Sequence, residues 1–378
     1  MSTIHIICWK YDPTKAVFQR DWALAKGIAE SGIKVECDFI MPNNCKCENE
    51  PLGIHCNYWG DNNAGKSKLL IFILSIIKAI STVRKYKSIL SCTLVPIMIP
   101  LILFSKKDNL YLENNEFPPF TSHTENFSGR IRLRLYNWVC KKAAGIFVIS
   151  NKLREYFIKI GVSKEKVHII NMTVDGNRFA NIEKQDTEPY ICYCGTVSNF
   201  KDGVDTLLES FGMIVKEFPN IKLYILGASP FEKDNKKNAA IIKKYNIKDN
   251  IYMPGAVPGN KMPQYLKNAV VLALSRPDNI QAAYGFPTKL GEYLMTGNPV
   301  VVTKVGELDD FLENKKSCIF ATPGNASDFA KKLKWTLENP AEAKEIGAKG
   351  KQVAEVSFNY KIEGKKIAEV ITRDSNNL

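Results

Sequence analysis

The chain lacks any apolar run fit to span a bilayer. Residues 69–80 are strongly apolar, but about a dozen residues falls short of the ~20 that a spanning helix requires, and basic residues flank them. Residues 88–104 approach the minimum length, yet Pro96 and Pro100 interrupt them, which favours a buried strand followed by a core helix. A secretory signal is missing too. Met1-Ser2-Thr3-Ile4-His5 runs directly into a strand-like segment, so a cytoplasmic chain with reduced thiols is expected from its 10 cysteines. Zinc-finger spacing is absent: Cys45-x-Cys47 with His55-Cys56 fits no standard finger, and Pro51 and Gly53 make the stretch read as a loop. No RNP-type aromatic motif or long Lys/Arg run occurs, so nucleic acid is not an expected partner.

What is present is an ordinary globular composition, 45% hydrophobic and 24% charged, with a basic surplus of +13. That surplus favours an anionic partner such as a nucleotide or a membrane surface. At 378 residues the chain exceeds one typical core, and two domains of about 180 residues are the natural division. Strand and helix patterns alternate from the start: strands at 3–9, 34–39, 109–114, 145–150 and 167–171, helices at 20–31, 66–86, 130–142 and 152–160. A charged, patternless stretch at 180–188 follows. The alternation then restarts with strands at 190–194, 222–226, 250–253, 270–273, 300–303 and 318–321, and helices such as 204–218 and 328–338. Two α/β, doubly wound, Rossmann-like domains are expected, 1–180 and 181–378, with ligands outside the carboxyl ends of their parallel strands.

The densest information lies at 284–303. Tyr284-Gly285-Phe286-Pro287 forms a turn into a short helix, with Pro287 near its first position and Gly297 past its end. Val300-Val301-Val302 then reads as a buried parallel strand. Free N–H groups at the helix start, with Lys289 beside them, suit a phosphate. Glu292, one turn in on the face of Thr288, suits ribose hydroxyls.

This run resembles the donor motif of retaining glycosyltransferases of GT-B fold, the "glycosyl transferases group 1" family. Glu292 matches the second of the motif's two glutamates, which binds the donor ribose, while Tyr284 stands where the first is expected. Gly195-Thr196-Val197-Ser198-Asn199-Phe200-Lys201-Asp202-Gly203 resembles the family's diphosphate loop. There Lys201 matches the Lys, and Thr196 replaces the Arg, leaving Lys289 as the substitute cation. The loop carrying Gly255 and Val257 corresponds to the base-binding turn. Ser275–Gln281 resembles the sugar-side loop, with Arg276, Asn279 and Gln281 as replacements for the missing glutamate. Asn171-Met172-Thr173-Val174-Asp175 with Arg178-Phe179 resembles a structural crossover.

The resemblance implies a GT-B fold, two domains facing an interdomain cleft, with the last helix packing back on the first domain. It implies an enzyme moving a sugar from a UDP- or GDP-sugar to a saccharide or lipid-linked hydroxyl acceptor, without cofactor or metal, since no Asp-x-Asp occurs and Lys201 supplies leaving-group charge. The donor residues are then Glu292, Thr288, Lys289, Thr196, Tyr284, Gly285, Phe286, Gly255, Val257 and Gln281. Glu116 either serves the acceptor hydroxyl or caps a turn, and His123 and Lys15 are further acceptor-side candidates. A non-catalytic nucleotide-sugar-binding module and a nucleotide-sugar epimerase are the competing readings. For 130–142, with five cations and Trp138, two readings stand: contact with an anionic membrane at the inner face, or an apolar face in the core with solvated cations.

Overall fold

The computed structural model describes residues 3–13, 16–63, 65–91, 94–106 and 108–376. They form two compact units, Met1–Thr173 with Tyr360–Leu378, and Val174–Asn359.

In the first unit the chain runs β1 (Thr3–Cys8), α1 (Ala16–Glu30), β2 (Lys34–Phe39), β3 (Ile54–Tyr58), α2 (Lys68–Lys85), β4 (Lys87–Leu90) and α3 (Val95–Phe104). It continues with β5 (Leu110–Asn114), α4 (Pro118–Thr121), α5 (Phe127–Lys142), β6 (Gly145–Val148), α6 (Asn151–Lys159) and β7 (Val167–Ile169). The seven strands are all parallel, in the order β3-β2-β1-β4-β5-β6-β7. Side-chain caps set several helix starts: Ser67 accepts from the Leu70 N–H, Asn126 from Gly129 and Ser150 from Leu153. Strand β3 replaces a stretch expected to be loop. Its five residues pair only with β2 at the sheet edge, so only part of its surface is buried and its pattern is weak. Within it His55 bonds Glu50 at 2.9 Å.

In the second unit come α7 (Asn177–Ala180), β8 (Tyr190–Cys194), α8 (Asn199–Asp202), α9 (Val204–Ile214), β9 (Lys222–Leu226), α10 (Glu232–Tyr245), β10 (Ile251–Gly255) and α11 (Met262–Asn268). Then follow β11 (Val271–Leu274), α12 (Ile280–Tyr284), α13 (Lys289–Met295), β12 (Val300–Thr303), β13 (Ile319–Ala321), α14 (Ala326–Glu338) and α15 (Pro340–Ser357). Its six strands are parallel, ordered β10-β9-β8-β11-β12-β13. Strands buried on both faces explain the unbroken apolar runs such as Val300–Thr303.

The division falls at Thr173/Val174, earlier than the charged stretch suggested. Residues 177–180 form α7, which packs on α11 inside the second unit, and 181–188 is a mostly exposed segment of that unit. The last helix, α16 (Tyr360–Asn376), belongs to the first unit, where it packs along α1. Its Ile367, Ala368 and Ile371 join the core of Ile4, Ile6, Leu24, Ile28 and Phe39, and its Tyr360 hydroxyl reaches Glu30 at 2.6 Å.

Candidate functional site

Strand order in the second sheet reverses between β8 and β11, and the crevice outside their carboxyl ends is the ligand position of such a sheet. The loop after β8 leads into the one-turn helix α8, started by Ser198, whose hydroxyl accepts the Lys201 N–H at 3.1 Å. Gly203 ends it in the left-handed region (φ 64°), and a side chain there would collide with the Ser275 carbonyl. The Ser275 hydroxyl donates to the Gly203 carbonyl at 2.7 Å and the Asn279 amide to Phe200 O at 2.7 Å, fastening the β8 and β11 loops together.

This arrangement buries Asp202 to 2% exposure. Its carboxylate meets the Lys289 ammonium at 2.5 Å, the Tyr193 hydroxyl at 2.8 Å and Arg276 Nε at 3.9 Å. Arg276 Nε also donates to the Lys201 carbonyl at 3.2 Å. Burial pushes the Asp202 carboxyl up, but Lys289 and then Arg276 outweigh it and hold the group below its ordinary range. Tyr193, buried and beside that carboxylate, is pushed well above the usual phenol value. Lys289 also lies 4.8 Å over the Tyr193 ring. Gly195 leaves the space this lysine occupies, since a side chain there would strike its ammonium. Asp202 is thus one buried carboxylate between two cations, with Lys201 on the same short helix, and the cluster keeps a positive surplus.

On α13, Glu292 forms an ion pair with Arg178 of α7, whose second nitrogen donates to the Gly259 carbonyl at 3.0 Å. Tyr293, the next residue, accepts the Cys194 N–H at 2.7 Å and fixes the helix to the end of β8. The Cys194 thiol is pushed up to about 12, by burial first and then by the Glu292 charge.

The structure therefore brings Lys289 and the Thr196 loop together through Asp202 and Tyr193, ties Lys201 to them through its backbone carbonyl on Arg276, and sets Glu292 beside Tyr293 at the end of β8. Thr196 is exposed, its carbonyl held by the Tyr193 hydroxyl at 2.7 Å. Lys289 is no unpaired substitute for the missing arginine: its charge is shared with Asp202. Pro287 precedes the helix instead of opening it, with Thr288 at the cap position and the Leu290 N–H bonding the Pro287 carbonyl. Phe286 is buried against Phe311 and Phe358, which leaves its backbone alone for a ligand. Tyr284 and Gly285 end α12, where Gln281 is buried. Gly255 closes β10 beside open space, and Val257 is half-buried. Asp202, Tyr193 and Arg178 were missed in the sequence. Nothing local distinguishes Asp202 from a turn aspartate, and Arg178 sits in what reads as a structural crossover.

Glu116 and His123 lie in the first unit. Glu116 follows β5, its N–H donating to Asn114 Oδ1 at 3.2 Å. His123 sits exposed on the turn after α4 at φ 55°, 3.5 Å from Glu125. Lys15 lies outside the described residues. The crevice between β1 and β4 holds a different cluster: Arg20 pairs with Glu113 at 2.8 Å and donates to the carbonyls of Asn171 and Ile170, while Asp21 bonds Ser91. Burial, and then Glu113, push Asp21 well above the carboxylate range. Among the described residues no cluster of His, Cys, Asp or Glu is placed to hold a metal ion.

Residues 175–353, which contain the whole Asp202 and Glu292 arrangement, match the model of the glycosyl transferases group 1 family. That match falls within the second unit and covers just under half of the chain. It is 23% identical over 216 residues to the putative colanic acid biosynthesis glycosyltransferase WcaL of Escherichia coli, covering 56% of this chain and 52% of that one. To the amylovoran biosynthesis glycosyltransferase AmsK of Erwinia amylovora it is 22% identical, covering 60% and 55%. The chain thus spans about half the length of the curated relatives it matches. In fold it is similar to Anabaena Alr3699/HepE, solved in complex with UDP-glucose, with a TM-score of 0.73 at 15% identity over 99% of this chain and 100% of that one. Alongside the group 1 match, this likeness over both units establishes the GT-B class.

Proposed function

We propose that the protein is a cytoplasmic retaining glycosyltransferase that moves a sugar from a nucleoside-diphosphate sugar to a hydroxyl acceptor in surface polysaccharide or glycoconjugate synthesis. The observation that carries this reading is the net-positive Asp202–Lys289–Arg276 cluster at the reversal of the second sheet, next to Lys201 in the chain and inside the segment that matches the group 1 family. A diphosphate there meets fixed cations in a partly dry setting, where charge stabilisation is strong. Glu292, with one oxygen turned to Arg178, keeps the other for ribose hydroxyls. UDP is the first donor nucleotide to test, since HepE was solved with UDP-glucose, and GDP the second. The acceptor is a saccharide or a lipid-linked saccharide, by analogy with the colanic acid and amylovoran proteins.

In this reading the acceptor oxygen bonds the anomeric carbon on the face from which the diphosphate leaves. The carbon–phosphate-oxygen bond breaks, and the acceptor proton passes to the departing phosphate oxygen. Lys201 and the cations around Asp202 stabilise the leaving charge without a metal, so chelator is expected to leave turnover unchanged.

Titration calorimetry and thermal shift with UDP and GDP test the nucleotide, because a ligand of the folded state raises its apparent stability. Release of sugar from UDP-sugars by the purified protein tests the chemistry. Binding without release under any acceptor would leave a nucleotide-sugar-binding module, and no binding of either nucleotide would end the reading altogether.

A further inference from the structure

α2, α3 and α5 follow strands that step in one direction along the first sheet, so right-handed crossovers place them on one face of it, where α2 packs on α3 and α3 on α5. A helix covering a sheet normally turns a polar side to water. These three do not. On α2, Ile71, Ile76, Ala79 and Val83 face inward, yet the outer stripe is Leu69, Leu70, Ile73 and Ile77, with Leu69 at 69% and Ile77 at 58% exposure. α3 is Val-Pro-Ile-Met-Ile-Pro-Leu-Ile-Leu-Phe, without one polar side chain, and Leu103 and Phe104 stand more than half exposed at its end. On α5 the exposed stripe is Phe127, Ile131, Leu135 and Trp138, at spacings of four, four and three. Val139, Tyr136 and Cys140 face the core instead. Trp138 and Leu135 therefore do not lie in the core, as one reading of the sequence had it.

Charge on these helices has one sign. α2 carries Lys68, Lys78, Arg84 and Lys85, and α5 carries Arg130, Arg132, Arg134, Lys141 and Lys142. None of the three helices holds an Asp or Glu. An apolar face of this breadth is uncommon on a protein that meets only water. A second copy of the same face would set cations against cations, which is costly. A surface that is apolar within and anionic at its headgroups satisfies both features. Among the described residues no helix is long and apolar enough to cross a membrane, so the contact is with the interface.

We infer that the α2–α3–α5 face of the first unit docks on an anionic lipid bilayer. The leucine and isoleucine stripes and Phe104 enter the headgroup–acyl boundary, and the lysines and arginines meet the lipid phosphates. Docking asks nothing of Lys201 or Glu292, so it stands or falls apart from the donor-site reading.

The test is co-sedimentation of the full chain with vesicles of phosphatidylcholine alone and of phosphatidylcholine mixed with phosphatidylglycerol. Binding to the mixed vesicles is expected to exceed binding to the neutral ones by at least about tenfold and to weaken as salt rises. I73E/I77E and L103E/F104E alter exposed positions, and each should lower partitioning by about a hundredfold or more while the melting temperature holds. Tryptophan fluorescence should shift to the blue on vesicle addition in the wild-type chain, and by less in Trp138→Phe. No binding to mixed vesicles, binding unchanged by both double variants, or a solution dimer that I73E/I77E dissolves without any vesicle binding would each overturn the inference.

Discussion

The two sheets reverse at equivalent places, β1/β4 in the first unit and β8/β11 in the second, and each reversal is filled by a buried ion cluster of opposite balance. Between β1 and β4 one guanidinium, Arg20, faces two carboxyl groups, Glu113 and Asp21. Burial, and then the Glu113 charge, push the Asp21 carboxyl toward its protonated form; it accepts from the Ser91 hydroxyl and lies near the Cys8 thiol. Between β8 and β11 a single carboxylate, Asp202, faces Lys289 and Arg276. One topology thus yields a crevice closed by its own acids and a crevice that retains positive charge. Position in the fold offers a ligand site in both; charge balance decides which one suits a diphosphate.

The sharpest break in this comparison is expected from Arg20→Leu. It strands the buried Glu113 carboxylate and two carbonyls, and should cost about 3–5 kcal/mol of stability, read by denaturant unfolding, with UDP affinity per folded molecule unchanged. A parallel loss of nucleotide affinity would show that the first crevice also serves the donor. Next in size is Lys201→Ala, expected to lower kcat about a hundredfold, or about 2.7 kcal/mol, with little change in melting temperature. Activity within a few fold of wild type would pass the leaving-group role to Lys289 or Arg276. Glu292→Gln should weaken UDP binding in calorimetry by about 1.5–3 kcal/mol if charged hydrogen bonds to ribose are lost. Unchanged affinity with an intact fold would leave Glu292 as the partner of Arg178 alone.

The smallest effect is the most direct contrast. Asp202 is held below its unfolded value of about 3.9, so the stability it lends is present above that pH and is lost as pH falls through the folded pKa. Asp21 is raised, so its contribution is present below about pH 3.9 and is lost as pH rises through its folded pKa. Each slope is at most about 1.4 kcal/mol per pH unit. Asp202→Asn should flatten the acid side for β8 amides and Asp21→Asn the higher-pH side for β1 amides, read by native-state hydrogen exchange. Matching slopes in both units would remove the contrast.

Most strands were legible because burial on both faces writes them as apolar runs; residues 190–194, 222–226 and 300–303 coincide with β8, β9 and β12, and the alternating 34–39 with β2. β3 was not, since an edge strand carries half that signal. Within the site, Lys201 and Glu292 stand in local motifs, whereas the Asp202–Lys289 pair joins residues 87 apart and the Arg178–Glu292 pair residues 114 apart. Such pairs come from the register of distant loops, and no local pattern encodes them. Phe286 shows the reverse case: a motif position whose side chain serves the core.

The return of α16 to the first unit has a consequence for synthesis. Ile367, Ala368 and Ile371 complete the core begun by Ile4 and Ile6, and Tyr360 reaches Glu30. On the ribosome the first unit therefore emerges first but waits, its α1 flank uncovered, until 360–376 have been made. The second unit, continuous from Val174 to Asn359, holds all its strands beforehand. Assembly then runs against the order of translation, and the incomplete first unit is the species on which a chaperone would act.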